Sequence, residues 1–139
     1  MGKDRSVLID INIILDVLLQ REPFYSASAG LLAAVEKGKI SGYVSAHGIT
    51  TLFYILQKGK SSAEAHAIIT GLFQILKVAP VGHSTIEQAL NLQFRDFEDA
   101  VQMVCAMEQK VDCLITRNVR DYQVSLLPVL QPVDYLATL

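Results

Sequence analysis

The chain has 139 residues and a formal charge of −2, with 51% hydrophobic and 19% charged residues. That length suits one domain over residues 1–139, the apolar content excludes disorder, and the apolar runs are too short to cross a bilayer. A slightly acidic chain must meet any nucleic acid through a local basic patch and not through its overall field. Asp10 and Asp16 interrupt the apolar stretch behind the opening MGKDRS, and no small-residue cleavage site follows, so no signal peptide is expected. Cys105 and Cys113 lack a CxxC spacing or a His close in sequence. They read as two buried thiols in a reducing cytoplasm.

Along the chain, short β-like runs alternate with helical stretches. Residues 7–10 form the first expected strand, and a helix over 12–20 opens directly behind it. Phe24, Ala27, Leu31, Leu32 and Val35 recur at helical spacing and stop at Gly38. Residues 40–45 form a second strand, and the helix after it carries Ile49, Leu52, Phe53 and Leu56 before closing at Gly59. Ser61 and Glu64 have capping-box spacing ahead of a helix running to 76, with a third strand over 77–81. Ser84 and Glu87 repeat that spacing before a helix to about 93. A helix over 97–110, a fourth strand over 112–116, a fifth over 128–130 and a short helix from 133 complete the chain. Strands and helices alternating at these lengths imply a three-layer α/β/α domain, with a central, mostly parallel sheet of four or five strands flanked by helices.

In such sheets ligands gather outside the carboxyl ends of the strands. Asp10 ends the first strand. Thr116, Arg117 and Asn118 follow the fourth, with Asp121 three residues on, and Asp96 and Asp99 flank the start of the helix that precedes it. Acidic positions far apart in the chain therefore converge at one edge. Simpler roles exist for some of them: Asp96 and Asp99 suit a helix N-terminus, and Asn118 with Asp121 suits an Asx-type turn. Asp10 is harder to explain, because a carboxylate ending an apolar strand must be solvated, paired or bound to a metal. Clustered carboxylates repel, and a hard cation such as Mg²⁺ or Mn²⁺ relieves the repulsion while keeping several waters. Such a cation activates water and stabilises charge developing on a phosphodiester. A receiver domain would need an acid after the second strand and a late Lys; an aspartyl phosphatase would need Asp-x-Asp, where Asp10 is followed by Ile11 and Asn12.

The segments "VLIDINIILDVLL", "EDAVQMVCA" and "LITRNVRDY", in this order and at these separations, resemble the PIN-domain family, in particular its VapC-like toxin and ribonuclease branch. The resemblance runs from Val7 to about Leu136. It implies a parallel sheet with flanking helices and Mg²⁺- or Mn²⁺-dependent endoribonuclease activity. It also implies Asp10, Asp99 and Asp121 as catalytic and metal-holding acids, with Asn12, Thr116 and Asn118 as supporting polar residues. Asp96 adds a further polar position, and Asp16 matches a frequent but secondary acid. From the resemblance alone, an RNA substrate, an antitoxin that plugs the acidic site with a basic residue, and a homodimer are expected.

One match fails. The family carries Glu or Asp on the helix after the second strand, and Thr51 stands at that place. Either the remaining acids still hold a metal, or the chain is an impaired member that binds RNA or protein. His47 lies four residues before Thr51, on the same expected helix face, and is a candidate substitute ligand; His66 and His83 read as surface residues. Arg95, Arg117 and Arg120, with Arg21, are the expected basic rim for RNA phosphates.

Overall fold

A computed structural model describes residues 5–122 and 126–139. The chain runs β1 (Ser6–Ile9), α1 (Ile11–Leu18), α2 (Tyr25–Glu36), β2 (Ser41–Ser45), α3 (Ala46–Gly59), α4 (Ser62–Leu72), β3 (Leu76–Ala79), α5 (His83–Leu90), α6 (Phe97–Glu108), β4 (Cys113–Ile115), a 3₁₀ turn (Val119–Tyr122), β5 (Val129–Leu130) and α7 (Pro132–Leu136). All strand pairs are parallel, in the order β3-β2-β1-β4-β5. This is the three-layer α/β/α architecture expected from the alternating pattern.

The apolar run Val7-Leu8-Ile9 is buried throughout because β1 is central and covered on both sides. Val7 and Ile9 point to one face, where they meet α1, α2, α3, α4 and α7. Leu8 points to the other, against α5 and α6. β4 divides in the same way, with Cys113 and Ile115 on the first face and Leu114 on the second. Both cysteines are buried and free, and burial pushes each thiol up to about 11, so neither is a reactive thiolate at neutral pH.

Several boundaries differ from expectation for identifiable reasons. Asp10 does not end β1 but is the N-cap of α1, accepting the Asn12 N–H at 3.0 Å. The helix expected to reach residue 76 stops at Leu72, and Leu76 instead opens β3, beside Gly42 of β2. The predicted capping pair at Ser61 and Glu64 forms in both directions. The one at Ser84 and Glu87 does not, because α5 begins two residues earlier, capped at Gly82, and there Thr85 accepts the Gly82 N–H. The stretch after β4 winds into a 3₁₀ turn closed by the Asp121 N–H on the Asn118 carbonyl, so Asn118 and Asp121 meet there through the backbone.

Topology locates the switch point. From β1 the chain builds outward to β2 and β3, then returns to the other side of β1 to lay down β4 and β5. The crevice at the carboxyl ends of β1 and β4 is the ligand position of such sheets. On one side of it, α3 begins close against α1: a Cβ at Gly48 would lie 2.7 Å from Ile11 Cγ2 and 3.1 Å from Ser45 Oγ. Gly48→Ala is therefore expected to force α3 away from α1 and lower stability by about 1–3 kcal/mol, measured by urea denaturation.

Candidate active site

Three helices begin at this crevice, and each start is capped by a residue beside it. Asp10 caps α1. Ser45 caps α3 by accepting the Gly48 N–H at 2.9 Å. Asp96 caps α6 by accepting from Glu98 at 2.8 Å and Asp99 at 3.4 Å. Together with the 3₁₀ turn they enclose a cleft of about 340 Å³, lined by Asp10, Asn12, Thr51, Asp96, Asp99, Asn118 and Asp121 among others. Residues separated by more than a hundred positions in sequence thus face one space. The helix N-termini bring positive dipole ends to it, which favour negative side chains there.

Asp10 is held on both oxygens. Oδ1 accepts from the Asn12 backbone, and Oδ2 accepts the Thr116 hydroxyl at 3.0 Å. Thr116 is fully buried, and its Oγ1 also accepts the Asn118 N–H at 3.2 Å. The Asp10 N–H meanwhile donates to the Ile115 carbonyl at 3.0 Å. The ends of β1 and β4, the start of α1 and the turn after β4 are therefore joined through one carboxylate.

Asp99 is half-buried, and its Oδ1 accepts the Tyr122 hydroxyl at 3.2 Å, which in turn accepts from Gln102 Nε2 at 2.7 Å. Burial, opposed only in part by the Tyr122 hydrogen bond and reinforced by the charges of Asp96, Asp121 and Asp10, pushes the Asp99 carboxyl up to about 6. Burial and the adjacent Asp99 charge push Tyr122 upward in turn, so its hydroxyl stays a donor. Gln102 lies three residues past Asp99 on α6, and this spacing was the one available sign of its role. Tyr122 gave no such sign, because a tyrosine beside an acid reads as core.

Other expected residues lie elsewhere. Asp16 is fully buried outside the cleft, with Oδ2 accepting the Ser28 hydroxyl at 3.2 Å. Arg117 Nε lies 3.4 Å from Asp16 Oδ2 and Arg21 Nη1 lies 3.8 Å from Oδ1. The Arg117 guanidinium also stacks 4.0 Å over the Phe24 ring. Arg117 and Arg21 thus pair with a buried acid, because leaving that acid unpaired would be costly. Arg95 and Arg120 are exposed and do not line the cleft. His47 does line it, and its Nε2 sits 2.7 Å from Glu98 Oε2. His66 is a surface residue of α4, with Nδ1 3.0 Å from the Ser62 carbonyl, and His83 is exposed at the start of α5. Among the described residues, no three His, Cys, Asp or Glu side chains form a ready-made metal cage.

Two outcomes follow from these environments. The native state holds the Asp99 proton more tightly than the unfolded chain, so between about pH 4 and about pH 6 stability falls as pH rises. Asp99→Asn removes that penalty. After allowance for solvent screening of a half-exposed group, it is expected to stabilise the protein by about 1 kcal/mol at pH 7.5 and by nothing near pH 4, in thermal melts at both pH values. Asp16→Ala leaves Arg117 and Arg21 without their partner and is expected to cost about 3 kcal/mol in urea denaturation.

Comparison with known proteins gives the arrangement its kinship. The PIN domain profile matches residues 6–120. The chain is 26% identical over 117 residues to Ribonuclease VapC1 of Aquifex aeolicus (strain VF5), covering 81% of each sequence. Its fold is similar to a chain of a toxin-antitoxin complex from Klebsiella pneumoniae, with TM-score 0.69 and 18% identity over 91% of this chain and 98% of that one. It is also similar to VapC20 of Mycobacterium tuberculosis, described as a sarcin-ricin loop cleaving toxin, with TM-score 0.61 and 14% identity over 78% of this chain and 87% of that one. A profile match across most of the chain, on a parallel sheet whose switch point carries the acids, has one reading: the chain belongs to the PIN-domain family.

Proposed function

We propose that this protein is a ribonuclease that hydrolyses RNA phosphodiesters with Mg²⁺ or Mn²⁺, and that it is the toxin of a toxin–antitoxin pair. The observation that carries the reading is the shared cleft of Asp10, Asp99 and Asp121 at the carboxyl end of the sheet, with Asp99 visibly burdened by its acidic neighbours. A relative named a ribonuclease and a structural neighbour described as a sarcin-ricin loop cleaving toxin support it.

The donor set fits a hard cation. It consists of carboxylate oxygens, and Mg²⁺ ordinarily takes one or two carboxylates and keeps the rest of its shell as water, so a closed cage of three acids is not required. Asp10 and Asp99 would hold the ion, with Asp121 acting directly or through water. When bound, such an ion activates water and neutralises charge developing on the phosphate. Thr116 and the α1 N-terminus keep the Asp10 carboxylate oriented, and Tyr122 does the same for Asp99. A cation entering the cleft competes with the Asp99 proton, so affinity should weaken below about pH 6.

Thr51 lines the cleft as a neutral hydroxyl, which is the specific observation behind the second reading, a binding module with weak or no turnover. An antitoxin partner is proposed from the toxin-antitoxin complex among the structural neighbours. The homodimer and the cytoplasmic location rest on the family resemblance. No helix among the described residues is long and apolar enough to cross a membrane.

The test is cleavage of a fluorescent RNA in Mg²⁺, Mn²⁺ or EDTA. Cleavage is expected in either metal, stopping in EDTA, and Asp10→Asn should slow it about a hundredfold or more. Cleavage that persists in EDTA removes the metal from the proposal. RNA binding with no cleavage by the wild-type protein would establish the second reading.

A further inference from the structure

The negative charge absent at Thr51 has a counterpart on the opposite wall of the cleft. Glu98 lies on α6 beside Asp99, yet it takes no part in the α6 cap through its side chain, since Asp96 accepts both N–H groups there. Its carboxylate instead crosses from the layer of α5 and α6 to the layer of α3, where Oε2 meets His47 Nε2 at 2.7 Å. His47 precedes Thr51 by one helical turn on α3, and His47, Thr51 and Glu98 line the same cleft as Asp10 and Asp99. The Glu98 carboxylate is therefore held against α3 at His47, one turn before Thr51. Among the described residues its Oε1 makes no hydrogen bond, so one oxygen is available while His47 holds the other.

The pair does little for the fold. Both side chains are exposed, at 46% for His47 and 68% for Glu98, and an exposed ion pair of this kind contributes almost nothing to stability. A contact that spans two layers at the mouth of an acidic cleft without stabilising it is explained by placement of the carboxylate.

We infer that Glu98 supplies the carboxylate missing at Thr51, reaching the metal-binding cleft from α6 with His47 as its positioning residue. This rests on the metal-dependent reading above. It assigns the two walls of the cleft differently from the family pattern, in which that acid comes from the helix after the second strand.

The experiment is Mn²⁺ titration by calorimetry, with no RNA present, of wild type, Glu98→Gln, Thr51→Glu, the double variant and Asp10→Asn, each checked by thermal melting. Glu98→Gln is expected to melt with the wild type and to bind Mn²⁺ about tenfold or more weakly. Thr51→Glu in the Glu98→Gln background is expected to restore most of that loss, because it returns the carboxylate to α3. His47→Ala should weaken Mn²⁺ binding less than Glu98→Gln, with Gln and Asn at position 47 giving partial rescue. If Asp10→Asn weakens binding and Glu98→Gln does not, the role of Glu98 is overturned while the metal site stands. A Glu98→Gln loss that Thr51→Glu fails to repair also overturns it. If neither Asp10→Asn nor Glu98→Gln changes Mn²⁺ binding, or the wild type binds none, the metal-dependent reading fails and this inference with it.

Discussion

The structure turns on a single carboxylate that several elements share. Asp10 accepts the Asn12 N–H in the first turn of α1 on one oxygen and the Thr116 hydroxyl on the other, while its own N–H completes the ladder to β4. Each of these bonds is ordinary, worth about 1 kcal/mol or somewhat more where the acceptor is charged. Their consequence is positional. The two central strands end level with one another, the turn after β4 is drawn in by the second bond of Thr116, and Asn118 and Asp121 are carried to the same cleft.

Bringing acids together is unfavourable, and the fold shows how that is tolerated. Three helices start at the cleft, so the positive ends of their dipoles lie among the carboxylates. The compensation is incomplete, as the upward shift of Asp99 records. The residual repulsion among the carboxylates is a local cost that the fold retains at this cleft. Two aspartates six residues apart illustrate the alternatives. Asp10 stays partly exposed in the cleft with hydrogen-bond donors only, whereas Asp16 is fully buried, hydrogen-bonded to Ser28 on one oxygen and charge-paired with two arginines. The second arrangement ties α1, α2 and the turn after β4 together from outside the cleft, and it consumes Arg117, which had seemed a natural contact for RNA.

Much of this was legible beforehand. The alternation of short apolar runs with helical spacings gave the layer architecture, because a parallel sheet needs a crossover between strands and cover on both faces. The polar residues after the first and fourth runs pointed to a convergent edge by the same topological rule. Asp96 and the pair Ser61 and Glu64 were readable as caps, since capping is decided within four residues. Boundaries were less legible: Leu76 looked like the end of a helix because an apolar residue has no local preference strong enough to resist pairing beside Gly42.

By itself, then, the sequence determined the periodicities, some of the helix caps and the set of acids available to one edge, all of which depend on neighbours along the chain. Tertiary structure alone decided which charges would be neutralised and which left facing solvent. Arg117 stands next to Thr116 and Asn118 in sequence, yet it turns away from the cleft toward Asp16, a partner a hundred residues earlier. Glu98 likewise meets His47 across two layers. Coulombic pairing depends on distance in space and on local dielectric, and neither quantity is written in residue order.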